Sequence, residues 1–309
     1  MIIFLFLLGM FGGMMIPFQT SINNKLSAYT RSPIYTSTIS FGIGLVFLLI
    51  INAFTNPQML TIGFLSEQSF HYYWFTGGVI GVTFLTGNLL LLPRLGASLT
   101  VVISLSGQMV MGVIIDAFGW FDAPIQLIEM TTFLGIILLV SGIVLMNEVK
   151  RIHERRNHFS FYLWLIAGLI IGFGPPIQTA INSKLGQEVN SSFFAALVSF
   201  TIGFALLVMI KAATNKHFRF PFKNIEHGRL KPIYFIGGAL GAIYITVNIV
   251  LMPYLGAALT TLAGMLGQMI IALMIDHFGL LGIDERKVTP RKLLAIFTIM
   301  VGIIFLRFL

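Results

Sequence analysis

The stretch PFQTSINNKL at residues 17–26 returns as PIQTAINSKL at residues 176–185, with seven of ten positions identical. A second block, residues 77–119, returns at residues 237–279 with 19 identities in 43 ungapped positions. The offset is 159 residues at the first block and 160 residues at the second. The chain is therefore built from two homologous halves.

The composition indicates that this chain lies mainly in a lipid bilayer. Of its 309 residues, 57% are hydrophobic and 10% are charged, and the mean hydropathy of +0.92 is far outside the range of a soluble globular domain. A membrane-spanning helix needs roughly 20 mostly apolar residues. We predict an all-α membrane protein with ten transmembrane helices, near residues 2–25, 33–54, 72–92, 97–118, 125–147, 160–184, 192–213, 233–252, 257–278 and 292–309.

Each half contains five of these spans. Because five is odd, two halves joined by a short loop enter the bilayer from opposite sides, so the repeat is inverted. We expect a first five-helix repeat at residues 1–150, a cytoplasmic linker at 151–159 and a second, inverted repeat at 160–309.

The positive charges predict the orientation of these spans. Of the 19 Lys and Arg residues, 17 follow odd-numbered spans. Since positive residues are retained in the cytoplasm, both termini are predicted to be extracytoplasmic. The net charge of +8 therefore reflects topology and does not indicate a nucleic-acid partner.

The first span of each half carries a proline four residues after a glycine. These pairs are Gly13 with Pro17 and Gly172 with Pro176. A proline inside a helix removes one backbone hydrogen bond and presses on the carbonyl four residues earlier. Both helices can therefore bend, and we predict that these four residues act in gating.

Side-chain amides follow each proline at a spacing of four, which places them on one face of the helix. A primary amide is costly in lipid, so these faces are expected to point into the bundle. Such amides can simply join helices, but their repetition beside both prolines favours a substrate pathway. The predicted substrate-binding residues, with further amides in the middle of other spans, are Gln19, Asn23, Asn88, Gln108, Gln178, Asn182, Asn248 and Gln268.

Two carboxylates occupy an unfavourable position. Asp116 and Asp276 each lie three residues before a glycine that ends a helix, where a negative charge opposes the helix dipole. Such a side chain requires a partner or a role. Two interpretations remain open: a hydrated or ion-paired carboxylate at a span end, or coupling of transport to protons or cations.

The sequence carries no recognisable catalytic set. It has no HExxH pair, no phosphate loop, no acidic cluster suited to magnesium and diphosphate, and no cysteine. We therefore expect no enzymatic activity, no metal site and no cofactor.

The Pro-x-Gln-x-x-Ile-Asn-x-Lys-Leu block in both halves, and the Gly-Gln-Met…Asp-x-Phe-Gly block in spans four and nine, resemble the DUF606 (YdcZ-like) family of the drug/metabolite transporter (DMT) superfamily. The resemblance covers essentially the whole chain and implies the fused ten-helix form. It implies an EamA-like basket of helices around a central cavity, in a bacterial inner (cell) membrane. It also implies an exporter of a small metabolite or drug-like solute.

Residues and resemblance together predict a secondary transporter that works by alternating access, with a small-molecule substrate and the lipid bilayer as partners, as a monomer or homodimer. The amide-rich, charge-poor lining favours a neutral or zwitterionic polar solute. The alternative is a non-transporting membrane scaffold or lipid-binding accessory protein. In that case the buried amides would bond only to each other.

Overall fold

A computed structural model describes residues 1–67, 71–95, 97–127, 129–146, 159–214, 223–224, 228–280 and 288–307. The α-helices are α1 (Ile2–Thr30), α2 (Pro33–Thr55), α3 (Ile62–Glu67), α4 (Thr76–Leu95), α5 (Ala97–Phe118), α6 (Met130–Met146), α7 (Phe159–Gly172), α8 (Gly174–Glu188), α9 (Ser192–Thr214), α10 (Gly237–Phe278) and α11 (Pro290–Arg307). Two short antiparallel strands, β1 (Lys223–Asn224) and β2 (Gly228–Arg229), pair in the connection between α9 and α10.

The helices have the length and surface of membrane spans. Within the described residues, five segments are long and apolar enough to cross a bilayer, namely Ile2–Thr30, Pro33–Thr55, Ser160–Glu188, Ser192–Ala213 and Pro232–Ile275. Shorter apolar helices cover Ile103–Phe118 and Met130–Leu145. Large hydrophobic side chains such as Phe54, Ile137 and Phe297 lie on the outer surface, where lipid would cover them. The chain is an all-α membrane protein.

Helix α10 contains both the eighth and the ninth predicted spans. A straight helix of its 42 residues would be about 63 Å long, twice the roughly 30 Å of a bilayer core. Its backbone leaves the helical conformation at Gly256, with φ 77° and ψ 176°, shortly after Pro253. A Cβ atom added at Gly9 of α1 would lie 2.7 Å from Ala263 and 3.0 Å from Leu251. Since residues on both sides of Gly256 meet the same point of α1, the chain folds back at Gly256 and forms two spans.

The first span of each half, here called the lead span, is continuous in one half and interrupted in the other. The sixth predicted span is divided at Phe173 into α7 and α8, because Pro175 and Pro176 remove two successive N–H groups from the helix. Its counterpart α1 continues through its single proline, Pro17. This asymmetry between equivalent spans was not expected from the repeat.

Contacts between helices follow the inverted repeat. Helix α2 packs on α9, with the rings of Phe41 and Phe200 5.1 Å apart, and α6 packs on α11. Helix α1 packs on α10, while α7 and α8 pack on α4 and α5. The lead helix of each half therefore contacts the third and fourth spans of the other half, and the core is shared between halves. One core cluster, for example, joins Leu105 and Met109 to Leu255 and Leu262.

Contacts at helix ends agree with this topology. Lys184, at the end of the sixth span, forms an ion pair with Asp122 in the connection after the fourth. Arg291, before the tenth span, donates from Nε to the carbonyl of Leu145 at the end of the fifth, at 3.2 Å. Each of these contacts joins two helix ends that the order of the spans places on the same side of the membrane. The predicted linker lies outside the described residues except for Phe159, where α7 begins.

Candidate functional site

The first pair of predicted amides lies where α1, α2 and α10 meet. A Cβ atom added at Gly241 would contact the side-chain amide of Gln19, and one added at Gly237 would contact that of Asn23. Glycine at both positions therefore leaves room for an amide between the helices. Asn23 also donates from Nδ2 to the hydroxyl of Ser40 on α2, at 3.2 Å.

The second pair repeats this arrangement where α4, α8 and α9 meet. Cβ atoms at Gly81 and Gly77 would contact the amides of Gln178 and Asn182, respectively. The hydroxyl of Ser199 on α9 donates to Asn182 Oδ1 at 2.7 Å. The structure thus confirms that both lead helices turn their amides towards neighbouring helices.

The two amide pairs differ in burial. Gln178 and Asn182 are 7% and 0% exposed, and within the described residues Gln178 Nε2 and Asn182 Nδ2 have no hydrogen-bond partner. Gln19 and Asn23 are only partly buried. The two copies of one arrangement therefore differ in burial, the first pair being partly exposed and the second buried.

The glycines predicted to allow bending lie at close contacts between backbones. A Cβ atom at Gly13 would collide with the carbonyl oxygen of Gly264 on α10. A Cβ atom at Gly172 would lie 3.0 Å from the Cα of Gly107 on α5. These glycines let the lead helices pack directly on the backbones of spans nine and four. Their role in gating, with that of the prolines, stays a prediction.

In the first half, the mid-span amides lie within the bundle. Asn88 is partly buried and donates from Nδ2 to the carbonyl of Phe84, one turn earlier on α4, at 3.0 Å. Gln108 on α5 is 4% exposed. The Asn88 bond stays within its own helix, so it does not join helices.

In the second half, the equivalent amides meet a residue that sequence reasoning missed. The hydroxyl of Tyr244 lies within hydrogen-bonding reach of both Asn248 and Gln268. Tyr244 and Asn248 are four residues apart on the first span of α10, whereas Gln268 lies on the second. Two features of the sequence pointed to Tyr244. It lies four residues before Asn248, and its equivalent in the first half is Phe84, so the hydroxyl group is specific to the second half.

Asp116 joins the two halves. Its side chain is 3% exposed, and its Oδ1 and Oδ2 accept hydrogen bonds from the backbone N–H groups of Ala257 and Ala258, at 2.6 and 2.8 Å. These N–H groups begin the second span of α10 directly after Gly256, so the carboxylate caps a helix N-terminus. The position that is unfavourable for its own helix is favourable for this neighbour. Asp276 lies in the last turn of α10, and its side chain is outside the described part of the chain.

A lysine that was not predicted as a site residue links α8 to the connection after the fourth span. Lys184 pairs with Asp122, and with Glu188 at 2.9 Å. Its spacing of four from Glu188 was visible in the sequence, whereas Asp122 carried no such signal. Within the described residues no group of three or more His, Cys, Asp or Glu side chains could hold a metal ion.

Comparisons with known proteins agree with this architecture. The profile of the family described as "Putative inner membrane exporter, YdcZ" matches twice, at residues 4–145 and 163–305. No curated protein matches the chain. One crystal structure of similar fold has a TM-score of 0.70 at 12% identity, over 99% of this chain and 96% of that chain.

The two profile matches divide the chain as the internal repeat does, and together they cover nearly all of it. The similar crystal structure shows a shared fold alone. Two copies of the family's five-span unit, joined in one chain with a shared core, are the fused form that the motifs resembled. The chain belongs to the YdcZ family of inner membrane exporters, within the drug/metabolite transporters.

Proposed function

We propose that this exporter is a secondary transporter that carries a small polar metabolite or drug-like solute by alternating access. The unequal burial of the two equivalent amide pairs is the observation that supports this function. In carriers with inverted repeats, the two halves exchange conformations around a site at their interface. Such an exchange would close the pair at Gln19 and Asn23 and open the pair at Gln178 and Asn182.

The orientation of this cycle rests on the charge distribution. The predicted topology, with both termini extracytoplasmic, places Gln19 and Asn23 towards the cytoplasm. In this cycle the less buried pair faces the cytoplasm, which is the side where an exporter takes up its solute. The lead helices, one with Pro17 inside it and the other interrupted before Pro176, act as the two gates.

Coupling to protons or cations is proposed for Asp116 and Asp276. A protonated carboxyl group keeps fewer acceptor sites than a carboxylate, so protonation of Asp116 would weaken its bonds to Ala257 and Ala258 and loosen the start of the ninth span. For Asp276 the proposal rests on its equivalent position in the repeat.

One observation favours a non-transporting scaffold or accessory protein instead. Asn23 and Asn182 each bond a serine of their own half, Ser40 and Ser199, as amides that only join helices do. The two functions differ in whether the buried pair ever becomes accessible.

Cysteine labelling can distinguish them, because the chain contains no native cysteine. Asn23→Cys and Asn182→Cys variants would be exposed to a membrane-impermeant maleimide from each side of sealed vesicles. Alternating access predicts labelling of Asn23→Cys from one side and of Asn182→Cys from the other. Asn52→Cys is the control, since Asn52 is also 0% exposed but bonds its own helix on α2. Asn182→Cys as unreactive as Asn52→Cys would favour the scaffold.

A further inference from the structure

A polar cluster in the second half has no chemical equivalent in the first. Tyr244, Asn248 and Gln268 lie together between the two spans of α10. The phenolic oxygen and the Gln268 Nε2 both lie beside Gly264, 3.6 and 3.9 Å from a Cβ atom added there. The equivalent of Tyr244 is Phe84, which has no hydroxyl group.

The hydrogen-bonding capacity of this cluster is only partly used. Asn248 is 4% exposed, and its Oδ1 has no partner among the described residues, so its contact with Tyr244 is made through Nδ2. An amide N–H that donates to the phenolic oxygen leaves the hydroxyl proton available to donate elsewhere. The cluster therefore presents one acceptor, Asn248 Oδ1, and one donor, the Tyr244 hydroxyl. A buried acceptor without a partner is costly, which a bound solute would relieve.

The cluster lies close to the first amide pair. Tyr244 and Gln268 are partly buried, as Gln19 is. Gln19 lies against Gly241, one turn before Tyr244 on the same helix. The first amide pair and the cluster are therefore adjacent.

The spans that carry the cluster and the first amide pair contain no charge. Residues 2–24 and 237–275 contain no Asp, Glu, Lys, Arg or His. A charged solute would lose its hydration there without an ionic partner, at a large cost. A neutral polar solute loses only hydrogen bonds that the cluster can replace.

We propose that Tyr244, Asn248 and Gln268 form a solute-binding subsite that selects an uncharged molecule with adjacent hydrogen-bond acceptor and donor groups, such as a carboxamide or lactam. The Tyr244 hydroxyl donates to the solute carbonyl, and Asn248 Oδ1 accepts from the neighbouring N–H. This inference rests on the proposed transport function and assigns its specificity to the second half.

Untargeted mass spectrometry of the medium of cells that express the full chain tests this subsite, because the method detects whichever solute is exported. Wild type, Tyr244→Phe and Asn248→Leu would be compared at membrane levels matched by immunoblot. Tyr254→Phe is the control, because Tyr254 lies on the same helix with 58% of its surface exposed. We expect wild type and Tyr254→Phe to raise the concentrations of the same neutral compounds in the medium. Loss of one hydrogen bond should reduce that export about tenfold in Tyr244→Phe, with a similar loss in Asn248→Leu.

The outcomes separate this inference from the function on which it rests. Export of ions by the wild type, or undiminished export by Tyr244→Phe, would overturn the subsite and leave the transporter intact. A wild type that raises no compound above the level of cells without the protein would overturn the transport function, and the subsite with it.

Discussion

Replacement of Asp116 by asparagine tests the bond that joins the two halves. The carboxylate accepts from the N–H groups of Ala257 and Ala258, at 2.6 and 2.8 Å, with 3% of its side chain exposed. Asparagine has the same shape but only one acceptor oxygen. One backbone N–H would then face an NH₂ group, and the charge at the helix N-terminus would be lost.

The magnitude follows from these two losses. A hydrogen bond to a charged group contributes about 1.5–3 kcal/mol. A charge at a partly buried helix terminus contributes up to about 2 kcal/mol. We expect Asp116→Asn to lower the free energy of unfolding by about 2–4 kcal/mol. In a chain of this size this loss corresponds to a Tm lower by roughly 4–8 °C.

Thermal unfolding of the purified protein in detergent measures this loss. Asp122→Asn is the matched control, because Asp122 is 69% exposed and pairs with Lys184 at the surface. Exposed ion pairs contribute about 0–1 kcal/mol, so its Tm should stay within about 2 °C of the wild type.

A second variant identifies the bond responsible. Ala257→Pro removes one of the two donors at the first position of a helix, where proline is tolerated. If the cap is the cause, Asp116→Asn costs less stability in the Ala257→Pro background than alone. An Asp116→Asn protein as stable as the wild type, or an equal cost in both backgrounds, would refute the capping role.

Three further substitutions follow from the packing, each measured by thermal unfolding in detergent. Gly13→Ala should lower the free energy of unfolding by about 2–3 kcal/mol, since the added Cβ meets the backbone carbonyl of Gly264. Gly63→Ala, with open space around it, should leave the Tm unchanged, and equal effects at both glycines would contradict this explanation. Gly256→Ala should cost about 1–3 kcal/mol, because φ 77° and ψ 176° is a conformation that only glycine adopts readily; an unchanged Tm would show that the backbone can relax there. Lys184→Gln should lower the Tm by less than about 2 °C, since both of its carboxylate partners are exposed, and a larger loss would show that these ion pairs stabilise the fold.

The spans could be predicted because the hydropathy of a segment depends only on its own residues. The inward direction of Gln19 and Asn23 could also be predicted, since a spacing of four and the cost of an amide in lipid act within one helix. Their glycine neighbours on α10 could not be identified, because any small residue of another span could have filled that place. The division of the sixth span at Phe173 depends on Pro175, which the first half lacks, so the repeat obscured it.

The sequence by itself determined that this chain is a duplicated, all-helical membrane protein of two inverted five-span halves. Duplication, apolar length and the parity of spans are all properties of the linear order. Only the tertiary structure decided that Asp116 caps a helix 141 residues away and that Tyr244 joins Asn248 to Gln268. Such contacts arise when α10 folds back at Gly256 and the halves interleave, and the packing that brings distant residues together is not encoded in the spacing along any single helix.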